Sequence, residues 1–129
     1  MRIFKNAWFV RFARDQKMSD GALRDAVRRA ESGQVDVNLG GGVVKQRVAR
    51  MGQGKSRGFR TILLYRAGER VFFVYGFAKS DRANLREDEK EQFKKMARHV
   101  LELSDEQLNG LIAREKLEEI ESDDEEISK

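Results

Sequence analysis

Residues 40–60, GGGVVKQRVARMGQGKSRGFR, combine three consecutive glycines, an alternating run and a second glycine-rich segment that carries cations. Consecutive side chains of a β-strand point to opposite faces, so Lys45 and Arg47 share one face of the first predicted strand. A turn over residues 52–58 leads to a second strand that begins at Phe59. The stretch therefore predicts a positively charged β-hairpin, which is either a polyanion site or a solvated hairpin with ordinary surface cations.

The rest of the chain supplies a third strand and four helices. Apolar runs bounded by turn residues predict strands over 43–51, 59–66 and 70–77, with a tight turn at Ala67, Gly68 and Glu69. Apolar residues at spacings of three and four predict helices over 5–16, 20–32, 86–102 and from Ser104 onward. The expected fold is α+β: a small antiparallel β-sheet of about three to four strands, packed against an N-terminal helical hairpin, with additional C-terminal helices.

The same spacing identifies the buried side of each helix. Ser19 or Asp20 is expected to cap the second helix, and Ser104 with Gln107 fits a capping box at the start of the fourth. The expected core positions are Trp8, Phe9, Phe12 and Ala13; Leu23, Ala26, Val27 and Ala30; Phe93, Met96, Ala97, Val100 and Leu101; and Leu108, Leu111, Ile112 and Leu117.

Length and composition limit the classes to which the chain can belong. Its 129 residues predict one domain over 1–117, followed by an acidic tail over 118–129 that is expected to be disordered. The sequence contains no cysteine, which excludes disulfides, thiolate metal sites and a cysteine nucleophile. No apolar run approaches the roughly 20 residues that span a bilayer, so we expect a cytoplasmic protein with no membrane partner.

The net charge of +4 conceals a strong asymmetry along the chain. Residues 1–80 contain 17 Lys and Arg against 6 Asp and Glu, whereas residues 81–129 contain 9 against 16. A basic body followed by an acidic segment is typical of proteins that bind nucleic acid, although such tails also serve only to keep a protein soluble.

A nucleotide-binding loop and a metal site are not supported by the sequence. The sequence Gly54-Lys55-Ser56 resembles the end of a phosphate-binding loop, but the glycine required five positions earlier is Ala49, and the segment lies between two strands. His99 is the only histidine, and residues 40–66 contain no carboxylate. We therefore expect no metal site and no small-molecule cofactor.

Cleavage of RNA needs neither a metal ion nor a nucleophile from the protein, because the substrate supplies its own 2′-hydroxyl. The protein must orient that hydroxyl, accept its proton and stabilise the charge that develops on the phosphate. Neighbouring cations lower the pKa of a lysine and make it a better base. Lys45, with Arg47 and Arg60 nearby in the predicted sheet, has such neighbours.

Three segments taken together resemble a known family: 41–48 (GGVVKQRV), 52–61 (GQGKSRGFRT) and 73–79 (FVYGFAK). The chain is similar to the RelE/HigB-like toxins of bacterial type II toxin–antitoxin systems, and to their phage-related branch with a Gly-Lys-rich hairpin. This resemblance implies a compact α+β fold that enters the ribosomal A site and cuts messenger RNA there. It also implies neutralisation by a cognate antitoxin, which we expect to be a small helix-turn-helix protein.

The resemblance also implies roles for individual residues. Lys45 matches the sheet lysine that acts as base or phosphate contact, Arg47 matches its partner cation, and Arg60 matches the arginine that stabilises the transition state. Lys79 lies where the family places a further cation at the exit of a strand, and no tyrosine after it matches the family's catalytic tyrosine. The residues assigned to RNA binding are Arg50, Lys55 and Arg57.

Two other functions remain open at the level of sequence. The same fold in ParE-like toxins inhibits DNA gyrase by binding, without catalysis. A nucleic-acid-binding module without catalysis would also account for the charge distribution. The cluster of Lys45, Arg47 and Arg60 favours the ribonuclease, because a gyrase inhibitor does not need it.

Overall fold

The computed structural model describes residues 1–50 and 54–121, with side chains for residues 1–49 and 58–121. This part of the chain folds into a six-stranded mixed sheet with four helices. In chain order the elements are β1 (Arg2–Asn6), α1 (Ala7–Asp15), α2 (Asp20–Glu31), β2 (Val37–Gly40), β3 (Val43–Arg50), β4 (Gly54–Arg66), β5 (Arg70–Ala78), α3 (Glu87–Val100), α4 (Asp105–Ala113) and β6 (Leu117–Ile120). The strand order across the sheet is β2-β3-β4-β5-β1-β6.

The expected small sheet packed against an N-terminal helical hairpin is wrong. The three predicted strands are present as β3, β4 and β5, although β4 begins at Gly54, within the segment 52–58 predicted as a turn. Strands β1, β2 and β6 extend the sheet to six strands. β1 runs parallel to β5, with Ile3 opposite Val71, and antiparallel to β6, with Ile3 opposite Ile120. The sequence pattern did not predict these three strands, because each has only four or five residues and because β1 and β6 pair with segments distant in sequence.

Helices cover both faces of the sheet. Helices α1 and α2 pack on one face, and the predicted cap of α2 is confirmed: the Ser19 side chain accepts a hydrogen bond from the Ala22 N–H. Helices α3 and α4 pack on the other face, and the predicted capping box of Ser104 and Gln107 is present. Within the described ranges, no helix is long and apolar enough to cross a lipid bilayer.

Some predicted core positions lie elsewhere. Trp8 is 37% exposed, and its indole packs on the ring of Tyr75, which lies beyond the β5 residues 70–73 that pair with β1. Met96 is 38% exposed on the outer side of α3. Leu117, expected in a helix, belongs to β6.

The even-numbered residues of β3 hold that strand against α2. Val44, Gln46 and Val48 are buried. The Gln46 amide donates to the carbonyl oxygens of Ala26 (3.0 Å) and Gln34 (3.1 Å), and its Oε1 accepts from the Asp36 N–H (2.9 Å). A fully buried amide satisfied in this way fixes which face of β3 points toward α2, so the odd-numbered residues must face the opposite side.

A buried lysine connects the two ends of the chain. Lys5 in β1 is only 7% exposed, and its Nζ lies 3.3 Å from an Asp20 oxygen and 2.8 Å from a Glu118 oxygen. Burial alone would lower the pKa of Lys5, but the two carboxylates raise it above the ordinary value. The acidic segment predicted from residue 118 thus begins within strand β6, and residues 122–129 lie outside the described part of the chain.

Candidate active site

Three of the predicted site residues meet on one face of the central hairpin. Arg47 in β3 lies directly opposite Arg60 in β4, which places their Cα atoms about 5 Å apart. Lys45 lies two residues before Arg47 and therefore points to the same face. We call these three residues, Lys45, Arg47 and Arg60, the cationic patch.

The cationic patch lacks neutralising carboxylates. In the described part of the chain, no Asp or Glu lies within ion-pair distance of Lys45, Arg47 or Arg60. By contrast, two nearby arginines do have carboxylate partners: Arg29 pairs with Asp36 at 3.6 Å, and Arg82 pairs with Glu89. The patch is therefore a concentration of positive charge that is available to an external anion.

Lys45 is half-buried at the centre of this charge. Burial lowers the pKa of its ammonium group below the ordinary lysine value, and the charges of Arg60, Lys90 and Arg47 lower it further. Its Nζ donates a hydrogen bond to Asn84 Oδ1 at 3.3 Å. A lower pKa and a fixed orientation make this amine a better proton acceptor than an ordinary surface lysine.

The loop between β5 and α3 holds Asn84 in place. Arg82 donates to the carbonyl oxygen of Asn84, to the Tyr75 hydroxyl and to both oxygens of Glu89. The hydrogen bonds from Arg82 and from the Arg86 N–H lower the pKa of Glu89 to about 2, so this carboxylate stays ionised. The loop is thus fastened to both β5 and α3.

Sequence reasoning missed Asn84, Arg82 and Lys90. Lys90 and Asn84 approach Lys45 only through the docking of α3 and its preceding loop onto the sheet. The only signal in the sequence was the spacing of Lys90, Lys94, Ala97 and Leu101, which places two lysines on the same helical stripe as two apolar residues.

A polar cleft of about 370 Å³ adjoins Arg47, lined by Arg29, Gln34, Val35, Asp36 and Arg47. Strand β2 pairs with β3 only over residues 43–45, so the Arg47 backbone lacks a strand partner on that side. Instead, Asp36 Oδ2 accepts from the Arg47 N–H at 2.7 Å and the Arg29 guanidinium donates to the Arg47 carbonyl oxygen. These bonds hold Arg47 rigidly at the edge of the cleft.

Of the other predicted site residues, only Lys79 has a described side chain. Lys79 is exposed in the turn that follows β5, and it is not among the charges that shift the pKa of Lys45. The side chains of Arg50, Lys55 and Arg57 lie outside the described residues. Within the described ranges, no group of three or more His, Asp or Glu side chains could hold a metal ion.

Comparison with known protein families identifies the chain. A family model described as the RelE toxin of the RelE/RelB toxin–antitoxin system matches residues 1–120, which is nearly the whole sequence. Comparison with curated proteins gives no match. The family match confirms the resemblance drawn from the hairpin and the strand that follows it. The chain therefore belongs to the RelE toxin family and is the toxin component of a toxin–antitoxin system.

Proposed function

We propose that the protein is an endoribonuclease that cuts messenger RNA on the ribosome without a metal ion. The observation that carries this proposal is the position of the Lys45 amine, which lies among other cations on a patch without neutralising carboxylates in the described chain. Family membership supports the same reading, because RelE toxins are generally ribonucleases.

In the proposed reaction, Lys45 Nζ accepts the proton of the ribose 2′-hydroxyl. The 2′-oxygen bonds to the adjacent phosphorus, and the bond from phosphorus to the 5′-oxygen breaks. The products are a 2′,3′-cyclic phosphate and a 5′-hydroxyl that takes its proton from water. Arg47 and Arg60 bind the non-bridging oxygens, where negative charge increases in the transition state, because planar guanidinium groups fit phosphate oxygens in pairs.

The experiment is induced expression of the toxin followed by primer extension on cellular messages. We expect growth arrest and cuts within translated codons. Lys45→Ala and Arg60→Ala should each abolish the cuts, with loss of at least about a hundredfold in cleavage rate, since a general base or a transition-state donor contributes that much.

Arg66→Ala is the matched control, because Arg66 lies on the same strand and face as Arg60 but about 20 Å away. It should cut messages like the wild type. Undiminished cleavage by Arg60→Ala would contradict the proposed site. Growth arrest with intact messages and DNA damage would favour a gyrase inhibitor, and absence of growth arrest would favour a binding module.

We also propose that the cognate antitoxin is a small helix-turn-helix protein. Family membership requires an antitoxin partner but does not specify its fold. Co-expression with the neighbouring short reading frame, followed by co-purification, tests this assignment. A stable complex with a protein of another fold would contradict the helix-turn-helix part alone.

A further inference from the structure

The inner stripe of α3 changes from apolar to cationic where it approaches the cationic patch. Ala97 and Leu101 are buried against the sheet, and one and two helical turns earlier the same stripe carries Lys94 and Lys90. Both lysine side chains are largely covered, with exposed fractions of 28% for Lys94 and 21% for Lys90. Lysines at such positions keep their stems packed and their charged ends at the surface.

The glycine turn between β2 and β3 receives the stem of Lys94. A Cβ placed on Gly41 would lie 3.2 Å from Lys94 Cγ, and one placed on Gly40 would lie 3.9 Å from Lys94 Nζ. The absence of side chains at this turn therefore lets α3 approach closely with Lys94 lying over it. Lys90 is one turn nearer to the loop that holds Asn84, and its charge acts on Lys45.

The carboxylates that pair with these two lysines are weak competitors for a ligand. Lys90 Nζ lies 3.0 Å from Glu87 and Lys94 Nζ lies 3.8 Å from Glu91, and both partners are exposed residues of the same helix. Such surface pairs contribute little and are screened by salt. Lys90 lies close to the cations of the patch and Lys94 lies over the adjoining glycine turn, and both are only weakly paired, so an external polyanion can bind them.

We propose that Lys90 and Lys94 extend the cationic patch into a track for the phosphodiester backbone of single-stranded RNA beyond the scissile phosphate. Lys94 and Lys90 are about 6 Å apart along the helix axis, and Lys45 and Arg47 are about 7 Å apart along β3. A row of separated cations suits successive phosphates of one strand better than a single small anion. The proposal rests on the ribonuclease function for its substrate class.

The test measures binding of a fluorescent, single-stranded 2′-O-methyl RNA oligonucleotide of mixed sequence, which the protein cannot cleave. The test variant is the double substitution Lys90→Gln with Lys94→Gln. The matched control is Lys95→Gln with Arg98→Gln, which removes the same charge from the exposed side of the same helix. We expect about tenfold weaker binding for the test variant at low salt, and a salt slope smaller by about 1.4, because each single-strand phosphate contact contributes about 0.7.

The control variant should bind almost like the wild type. Equal weakening of both variants would show a general effect of net charge and overturn the track, as would unchanged binding by the test variant. Thermal unfolding separates these results from misfolding, since removing like charges should leave the test variant at least as stable as the wild type.

Cleavage of message on programmed ribosomes, measured in parallel, separates this inference from the proposed function. If the wild type cuts message and the test variant binds the oligonucleotide as well as the wild type does, the proposed RNA track is wrong and the proposed ribonuclease function stands. If the wild type binds the oligonucleotide through Lys90 and Lys94 but does not cut message, the proposed ribonuclease function is wrong and the RNA track stands. Failure of the wild type to bind the oligonucleotide would overturn the track.

Discussion

Lys45 Nζ, on strand β3, donates a hydrogen bond to Asn84 Oδ1, in the loop that Arg82 and Glu89 fasten to α3. An amide oxygen accepts a hydrogen bond from an amine without carrying a charge, so it orients the amine and does not strongly favour its protonated form. The contact links the sheet that carries the cations to the segment that limits how Lys45 can move.

Asn84→Asp should move the cleavage activity to higher pH. A carboxylate beside Lys45 favours the ammonium form, raises the pKa of Lys45 and leaves less free amine at neutral pH. Asn84→Ala removes the orienting acceptor but adds no charge, so it should lower the rate without shifting the profile upward. The measurement is the pH–rate profile on programmed ribosomes, with melting temperatures as a check on folding. Superimposable profiles for wild type and Asn84→Asp would contradict the contact between residue 84 and Lys45, and an unchanged rate for Asn84→Ala would contradict an orienting role.

Lys90→Gln should also shift the acidic limb of the pH–rate profile upward. The positive charge of Lys90 lowers the pKa of Lys45, so removing it raises that pKa and the rate then rises with pH only at higher values. Lys95→Gln, on the exposed side of α3, is the control and should leave the limb in place. NMR titration of the Lys45 side chain reports the same shift independently of cleavage, and an unshifted titration would refute the predicted coupling.

Gln46→Leu should destabilise the fold by about 2–4 kcal/mol. The substitution leaves the Gln34 carbonyl oxygen and the Asp36 N–H without their partner, whereas the Ala26 carbonyl oxygen keeps its hydrogen bond within α2. Because both groups are only partly buried, each costs about 1–2 kcal/mol, the lower part of the range for unsatisfied buried groups. Gln34→Leu is the control, since the Gln34 side chain is exposed and only its backbone takes part. Urea unfolding checks the difference, and equal midpoints for the two variants would show that Gln46 is dispensable.

Gly42→Ala should cost more stability than Gly68→Ala. Both glycines have positive φ, +83° and +73°, which penalises alanine by about 1–2 kcal/mol. Only at Gly42 would a Cβ also clash, lying 2.8 Å from Leu101 Cδ1 at the end of α3. Overpacking adds about 1–3 kcal/mol, so the difference between the variants measures how tightly α3 is docked. Equal losses in thermal unfolding would mean that the helix adjusts freely.

The parts of the fold that sequence could predict are those fixed by local chemistry. The buried stripe of α2, the cap at Ser19 and the hairpin turn at Gly68 each follow from residues within a few positions of one another. Strands β1 and β6 could not be predicted in the same way. Their pairing depends on partners more than 60 residues away, and their five and four residues carry no extended alternation.

For the candidate site too, the sequence could predict the residues placed by local alternation but not those placed by packing of distant segments. Alternation along β3 was sufficient to place Lys45 and Arg47 on one face, and the hairpin register brought Arg60 opposite Arg47. Asn84 and Lys90 were missed because their approach to Lys45 depends on how α3 packs, which no spacing in the sequence reveals. The expected catalytic role of Lys79 stays a prediction.

Adjacent residues of strand β3 have different roles. Val44, Gln46 and Val48 hold the strand to α2, whereas Lys45 and Arg47, between them, face outward with their charge. Selection over residues 44–48 should consequently oscillate with a period of two, after a buried Val43 that belongs to the core on the other face. In a library of single substitutions, losses of protein abundance should fall at 44, 46 and 48, and escape from growth inhibition with normal abundance should fall at 45 and 47.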